Sequence, residues 1–132
     1  MSNQTATLIS GVANVAIPTS DPERALTFYR DTLGLSVTRD ATFGPGLRWI
    51  EVAVAEGATA IALAPRPADA PVVGTDTGIR LSTRDASAAH VALGSRGVDV
   101  DAQVLDLPGV PPMFSLRDPE GYTLYIVESA TS

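Results

Sequence analysis

The sequence has no cysteine, a single histidine and few basic residues. Without cysteine, disulfides, thiolate metal sites and cysteine nucleophiles are excluded. With one histidine, a single chain cannot build a site that needs two imidazoles. Nine Lys and Arg residues against fifteen Asp and Glu residues give a net charge of −6, which disfavours binding to the phosphate backbone of a nucleic acid. No apolar run approaches the ~18 residues of a membrane-spanning helix, so we expect no membrane partner.

The overall composition is typical of a folded protein. The 132 residues are 45% hydrophobic and 18% charged, which predicts one folded domain over residues 1–132. The first ten residues, MSNQTATLIS, contain no basic residue and no long apolar stretch. This segment is therefore unlike a targeting signal, and we expect a cytoplasmic protein.

Hydrophobic periodicity predicts a strand followed by a helix near the start of the chain. Residues 11–18, GVANVAIP, alternate as a half-buried strand does. Asp21 is a good helix N-cap, Pro22 suits the first turn, and Gly34 is typical of the residue that follows a helix. We expect one helix between Asp21 and Gly34, followed by three further strands that end near residue 64.

The second half of the sequence repeats this plan. A shift of 64 residues places Val15 on Ile79 and Asp21 on Asp85, so we read two βαβββ modules in an α+β fold. Module one covers about residues 9–64 and module two about residues 78–128, with a proline-rich linker at 65–77. Each sheet would pack one face on its helix, and the two sheets side by side would form a cup with the helices outside. The alternative is a ferredoxin-like sandwich with chance internal similarity.

Three segments resemble the vicinal oxygen chelate superfamily, which includes glyoxalase I, bleomycin-resistance proteins and extradiol dioxygenases. They are NVAIPTSDPERALTFYRDTLGL (14–35), GIRLSTRDASAAHVALGSRGVDV (78–100) and FSLRDPEGYTLYIVE (114–128). The resemblance covers about residues 10–128 and implies the paired-module fold. It does not imply one function, because the superfamily contains many chemistries.

The resemblance also implies where a metal would bind. Metal-dependent members place His or Glu at four positions that face the cup, and here these positions hold Asn14, Ala62, Gly78 and Tyr125. Two of these residues have no side-chain ligand atom, and an amide or a neutral phenol is a weak donor. We therefore expect no metal and no other cofactor.

Strand alternation predicts which side chains line the cup. The candidate ligand-binding residues are Asn14, Trp49, Glu51, Arg80, Met113, Ser115 and Tyr125. This lining is mixed, with two aromatic residues, one Met, two polar residues and two opposite charges, and small neighbours (Ala16, Ala62 and Gly78) would leave volume free. A concave site with a few placed polar groups is typical of a small-molecule pocket.

Several of these residues admit two interpretations. Glu51 and Arg80 would either pair with each other or leave Arg80 to receive a ligand carboxylate. Trp49 would stack on a planar ligand, or would fill the dimer seam or the cup itself. Met113 would form a pocket wall or pack in the core. Tyr125 would donate a hydrogen bond to a ligand or fill the space of the lost metal.

Two functions are compatible with these residues. The first is a metal-free protein that binds a small organic molecule, partly aromatic and bearing a carboxylate for Arg80, as bleomycin-resistance proteins bind their ligands. The alternative is an enzyme of the same fold, a lyase, isomerase or dioxygenase, that uses Glu51 as a base with Arg80 or Tyr125 stabilising an oxyanion, or that uses an undetected metal. By resemblance we expect a homodimer, with modules paired either within a chain or across chains.

Overall fold

Two four-stranded sheets of the same topology form the frame of the protein. The computed structural model describes residues 8–45, 47–69 and 75–129. In module one, β1 is Asn14–Thr19, α1 is Pro22–Leu26 with a π-helical continuation at Thr27–Thr32, β2 is Ser36–Thr42, β3 is Arg48–Ala53 and β4 is Ala60–Pro65. In module two, β5 is Asp76–Thr83, α2 is Ala86–Ser95, β6 is Asp99–Val100, β7 is Met113–Arg117 and β8 is Thr123–Glu128.

The strand orders are β1-β4-β3-β2 and β5-β8-β7-β6. In each sheet the first and last strands of the module are parallel, and the other neighbours are antiparallel. The predicted α+β fold with two mixed sheets is therefore confirmed. Among the described residues, neither helix combines the length and hydropathy needed to cross a lipid bilayer.

The first helix begins as predicted and then changes its winding. The carboxylate of Asp21 accepts from the backbone N–H of Arg24 at 3.1 Å, as an N-cap does. We predicted one regular helix, but after Leu26 it widens into π-helical turns, with Leu33 N donating to Phe28 O at 2.9 Å. The wider turns carry Phe28 and Tyr29, whose rings pack edge to face.

The second helix follows the prediction more closely. The carboxylate of Asp85 accepts from Ala88 N at 3.0 Å, and Gly97 has the positive φ of +83° that ends the segment. His90, the single histidine, bonds through Nε2 to Asp101 O at 2.6 Å and packs against Phe114. It is a packing residue on the helix side of module two.

One face of each sheet is buried, as the alternation predicted. The core contains every second strand residue together with side chains from the helices. The large buried strand side chains are Ile17, Ile50, Val52, Ile61, Leu63, Phe114, Leu116, Leu124 and Ile126. The smaller residues Thr19, Ala53, Ala60 and Ala62 are buried as well, so β4 is covered on both faces along most of its length. The opposite face of each sheet, called here its free face, carries the candidate ligand-binding residues.

The ends of the predicted linker belong to strands. β4 extends to Pro65 and β5 begins at Asp76, so pairing in the sheets takes up both ends of segment 65–77. Residues 70–74 lie outside the described residues, as do residues 1–7 of the N-terminal segment.

The turn at residues 118–121, which joins β7 to β8, fastens module two to module one. The carboxylate of Glu120 accepts from the Thr19 hydroxyl, from Ser20 N at 3.2 Å and from the guanidinium of Arg66. The side chains of Glu120 and Arg66 are only 7% and 13% exposed. These contacts connect the turn to the end of β1, 101 residues away in the sequence, and to Arg66 at the end of β4, 54 residues away.

A second contact of the same turn lies deeper. The hydroxyl of Tyr29 donates to Asp118 Oδ2 at 2.7 Å, and both residues are buried. Burial and the neighbouring Asp118 carboxylate raise the pKa of Tyr29 far above its ordinary value, so the phenol stays protonated. The turn is therefore part of the core of the whole chain.

Candidate functional site

A row of four side chains crosses the free face of module two. The strand register places Arg80 beside Tyr125 and Tyr125 beside Ser115. Asp101, which follows β6, joins the row because its N–H donates to Ser115 O at 3.0 Å. Polar and aromatic groups from across the sheet thus fall on a single line.

Tyr125 stands at the centre of this row. Its hydroxyl donates to Asp76 Oδ2 at 2.7 Å, and the guanidinium carbon of Arg80 lies 5.0 Å from its ring centroid, within range for a cation–π contact. The bond to Asp76 raises the pKa of Tyr125 and lowers the pKa of Asp76, because the carboxylate favours the neutral phenol.

Ser115 and Asp101 form the other end of the row. The Ser115 hydroxyl donates to Asp101 Oδ1 at 2.8 Å, and Arg117 Nη1 donates to the same oxygen at 2.9 Å. Partial burial acts to raise the pKa of Asp101, but the hydrogen bonds from Arg117 and Ser115 outweigh it and lower that pKa. The carboxylate is therefore held in its charged form.

A small cavity of about 120 Å³ opens beside these groups. Its lining consists of Asp101, Leu105, Met113, Phe114, Ser115 and Tyr125. Three predicted ligand-binding residues are thus brought together here. Sequence reasoning missed Asp101 and Leu105, although the β6–β7 pairing that positions Asp101 opposite Ser115 could have pointed to it.

The free face of module one is built around Trp49 and Glu51. The indole Nε1–H of Trp49 donates to Glu51 Oε2 at 2.7 Å. The register then places Ala62 beside Glu51 and Ala16 beside Ala62, while Arg39 lies opposite Glu51 on β2. This row is equivalent to that of module two, but small residues stand where Tyr125 and Arg80 stand there.

The two candidate charges have separate partners. Glu51 accepts from Trp49 within module one, whereas Arg80 contacts Tyr125 and donates weakly to Gly78 O at 3.4 Å. Mutual pairing of Glu51 and Arg80, one of the two interpretations of the sequence, is not formed among the described residues.

Arg80 also borders a cleft at the seam between the modules. This cleft has a volume of about 350 Å³. Val15, Thr59 and Ile61 of module one line it on one side, and residues 77–81 of β5 line it on the other. Trp49, Glu51 and Asn14 do not line it. The candidate residues therefore form two groups, one on each sheet.

The four positions that would hold the superfamily's metal do not fit a cation. Ala62 and Gly78 offer no side-chain donor, and the Tyr125 hydroxyl gives its proton to Asp76. Only the Asn14 amide remains, and one neutral oxygen is a poor site for a divalent ion. Among the described residues, no group of three or more His, Asp or Glu side chains is arranged to hold a metal.

Comparisons with known proteins extend over nearly the whole chain. The family model of the Glyoxalase/Bleomycin resistance protein/Dioxygenase superfamily matches residues 11–126. The crystal structure of a superfamily member from Sphaerobacter thermophilus DSM 20745 is 32% identical, with a TM-score of 0.82, and the match covers 93% of this chain and 100% of that one. No curated protein matches the chain.

Two further similar structures have different described functions, one as an antibiotic binding protein and one as a glyoxalase. TnmS3, an antibiotic binding protein from Streptomyces sp. CB03234, is 31% identical with a TM-score of 0.78, and the match covers 93% of this chain and 98% of that one. The glyoxalase I of Leishmania major, described as trypanothione-dependent, is 17% identical with a TM-score of 0.72, covering 91% and 87%. At that identity the glyoxalase shows a shared fold only.

Proposed function

Because the chain belongs to the Glyoxalase/Bleomycin resistance protein/Dioxygenase superfamily, we propose that it is a metal-free protein that binds a small organic molecule on the free faces of its sheets. The observation that carries this proposal is the donor set at the four metal positions. Asn14, Ala62, Gly78 and the engaged phenol of Tyr125 cannot supply the coordination that the superfamily's metal chemistry needs. A binding function needs none of it.

The lining supports a partly aromatic ligand. Trp49 is half-buried on the free face of module one, and Tyr125 is half-buried on that of module two. Ala16 on β1 is exposed and has no bulk to oppose a ring, whereas Ala62 beside it is fully buried. Met113 supplies an adaptable apolar wall. The description of TnmS3 as an antibiotic binding protein supports the same class of function.

Arg80 supports a carboxylate on that ligand. Its side chain is exposed, and among the described residues its guanidinium donates only to Gly78 O, at 3.4 Å. It therefore retains N–H groups for a bidentate carboxylate. In the catalytic alternative, the Tyr125 hydroxyl would have to leave Asp76 before it could donate to an oxyanion, and the Glu51 carboxylate would have to leave Trp49 before it could act as a base. That alternative therefore has less support.

We also propose that the protein works as a homodimer. Leu105, Leu107 and Val110 are 47%, 50% and 38% exposed, and Leu105 lines the small cavity of module two. An apolar segment beside a ligand face is a natural place for a second subunit. Light scattering over a concentration series should give twice the mass of the chain, and a constant monomer mass would refute this part of the proposal.

The binding function is tested with matched ligand pairs. A thermal-shift screen of aromatic acids and the corresponding amides should find acids that stabilise the protein. For such an acid, Arg80→Ala should weaken binding by about 10- to 100-fold, the loss expected for a charged hydrogen bond, and should leave the amide nearly unchanged. Arg24→Ala, on the exposed surface of α1, is the control. Equal losses for acid and amide would contradict the role of Arg80.

The metal-free part is tested separately. Purified protein equilibrated with Zn²⁺, Ni²⁺, Mn²⁺ or Fe²⁺ should retain less than a stoichiometric amount after desalting. If one equivalent is retained, and Asn14→Ala or Tyr125→Phe abolishes that retention, the proposal is wrong and a metal-dependent enzyme becomes the better interpretation.

A further inference from the structure

An irregularity in β5 brings Asp76 to the ring of Tyr125. Arg80 pairs with Tyr125 and Asp76 pairs with Thr123, so four residues of β5 span two residues of β8. The extra residues are accommodated at Gly78, whose φ of +68° disfavours any side chain. Without this bulge, residue 78 rather than Asp76 would lie beside Thr123.

The carboxylate of Asp76 then holds two groups at once. One oxygen accepts from the Tyr125 hydroxyl at 2.7 Å, and the other accepts from Gly78 N at 3.0 Å. Gly78 O in turn receives Arg80 Nη1 at 3.4 Å. Asp76 therefore contacts both the aromatic residue and the bulge directly, and it contacts the guanidinium of Arg80 indirectly through Gly78.

This arrangement is absent from the equivalent part of module one. A shift of 64 residues places Asp76 on Val12 and Arg80 on Ala16, and the residue equivalent to Tyr125 is Ala62. The repeat of the fold therefore does not account for it. A set of three interacting side chains that only one module carries points to a role in ligand recognition.

Resting on the proposed function, we propose that Asp76 is a positioning residue that fixes Tyr125 beneath Arg80 and so makes this face selective for planar aromatic carboxylates over saturated ones. The hydroxyl of Tyr125 is committed to Asp76, so the residue presents its ring and not a donor. A guanidinium backed by an aromatic ring has one planar side left for a flat ligand. A saturated acid satisfies the charge but cannot stack.

The test compares two acids with the same carbon skeleton. The dissociation constants of 2-naphthoate and decahydro-2-naphthoate are measured by calorimetry, and their ratio reports the preference for a flat ring. In Asp76→Ala both the acceptor of the Tyr125 hydroxyl and a negative charge near Arg80 are removed. The loss of the charge alone strengthens the binding of both monoanions alike and has no effect on the ratio, so a change in the ratio reports the loss of positioning. The preference should fall by about three- to tenfold. Asp69→Ala, which removes a charge from the linker, should not lower it.

A second readout needs no ligand. Phenolate formation is followed by ultraviolet absorbance on raising the pH, and Tyr125→Phe identifies the step that belongs to Tyr125. Asp76 and Asp101 disfavour the phenolate and Arg80 favours it, with Asp76 dominant. The step should therefore move to lower pH in Asp76→Asn, and it should stay in place in Asp69→Asn.

The outcomes separate this inference from the proposed function. A lower ratio together with a shifted phenol step supports the positioning role. An unchanged ratio in Asp76→Ala, or an unmoved phenol step in Asp76→Asn, overturns that role even if the wild-type protein binds both acids. If the wild-type protein binds neither acid, the ligand class of the proposed function is wrong and the selectivity falls with it, whatever the phenol titration shows.

Discussion

Replacing Glu120 by Gln tests whether the 118–121 turn holds the two modules together. The glutamine has the same shape and can still accept from Thr19 and Ser20. It cannot offer a charge to Arg66, whose side chain is 13% exposed, and so a nearly buried guanidinium loses its carboxylate. The perturbation is therefore local, electrostatic and isosteric.

The structure sets the size of the expected effect. A hydrogen bond to a charged group contributes about 1.5–3 kcal/mol. Removing one partner of a buried ion pair costs more than the pair itself contributes, because the other charge is left behind. Since the glutamine keeps some of the bonds, we expect a loss of about 2 kcal/mol in the free energy of unfolding. For a chain of this size the melting temperature should fall by about 6–8 °C.

The internal repeat supplies the control. Glu56 occupies the equivalent turn of module one. The glycines that follow the two glutamates have similar backbone angles, with φ of +86° at Gly57 and +92° at Gly121. Glu56 is exposed, however. Glu56→Gln should therefore change the free energy of unfolding by less than about 0.5 kcal/mol in urea titrations. If the two variants lose the same stability, the contacts of Glu120 do not fasten the modules.

The same variant predicts a pH dependence. Burial acts to raise the pKa of Glu120, but the hydrogen bonds from Thr19, Arg66 and Ser20 together outweigh it, so the pKa in the folded state is lowered. A carboxyl group whose pKa is lower in the folded state than in the unfolded state, where it is about 4.3, stabilises the fold at pH values above 4.3. That stabilisation is lost as the pH falls through the pKa of the folded state. The difference in stability between wild type and Glu120→Gln should therefore be constant at neutral pH and shrink below about pH 4.3. A difference that does not change with pH would contradict this.

Two other substitutions test single contacts. Tyr29→Phe removes the donor to buried Asp118, which still accepts from two backbone N–H groups. The variant should lose about 1–3 kcal/mol in urea unfolding, and a loss under about 0.5 kcal/mol would show that the bond adds nothing. Asp85→Ala removes the N-cap of α2 and should cost about 1 kcal/mol. Asp85→Asn keeps the cap and should lose only a few tenths, so similar losses in both variants would refute the capping role.

Much of the fold could be predicted from the sequence because its signals are local. Alternating residues such as Ile50 and Val52 revealed the buried faces, and Asp21 and Asp85 revealed the starts of the helices. The internal repeat then supported the same topology for both halves. The π-helical widening after Leu26 was not predicted, because an apolar stripe has nearly the same spacing in both kinds of helix.

The contacts that join the modules could not be predicted in this way. Glu120 meets Thr19 across 101 positions of the sequence, and no periodicity reports such a pair. The position of Asp76 depends on the bulge in β5. Gly78 is the one residue in the sequence that indicates this bulge, and a single glycine is too weak a signal to predict it. Whether the residues chosen for the ligand bind one is still a prediction, although the structure places them on the faces that alternation assigned.

The equivalent rows of the two sheets differ in a way that bears on ligand recognition. Where module two carries the large groups Arg80 and Tyr125, module one carries Ala16 and Ala62. Where module one carries Glu51 bonded to Trp49, module two carries Ser115 bonded to Asp101. Under the proposed binding function, this difference assigns separate roles to the two rows. We expect Arg80 and Tyr125 to supply the charge and the aromatic surface that orient a ligand, and the exposed Ala16 to leave room beside them.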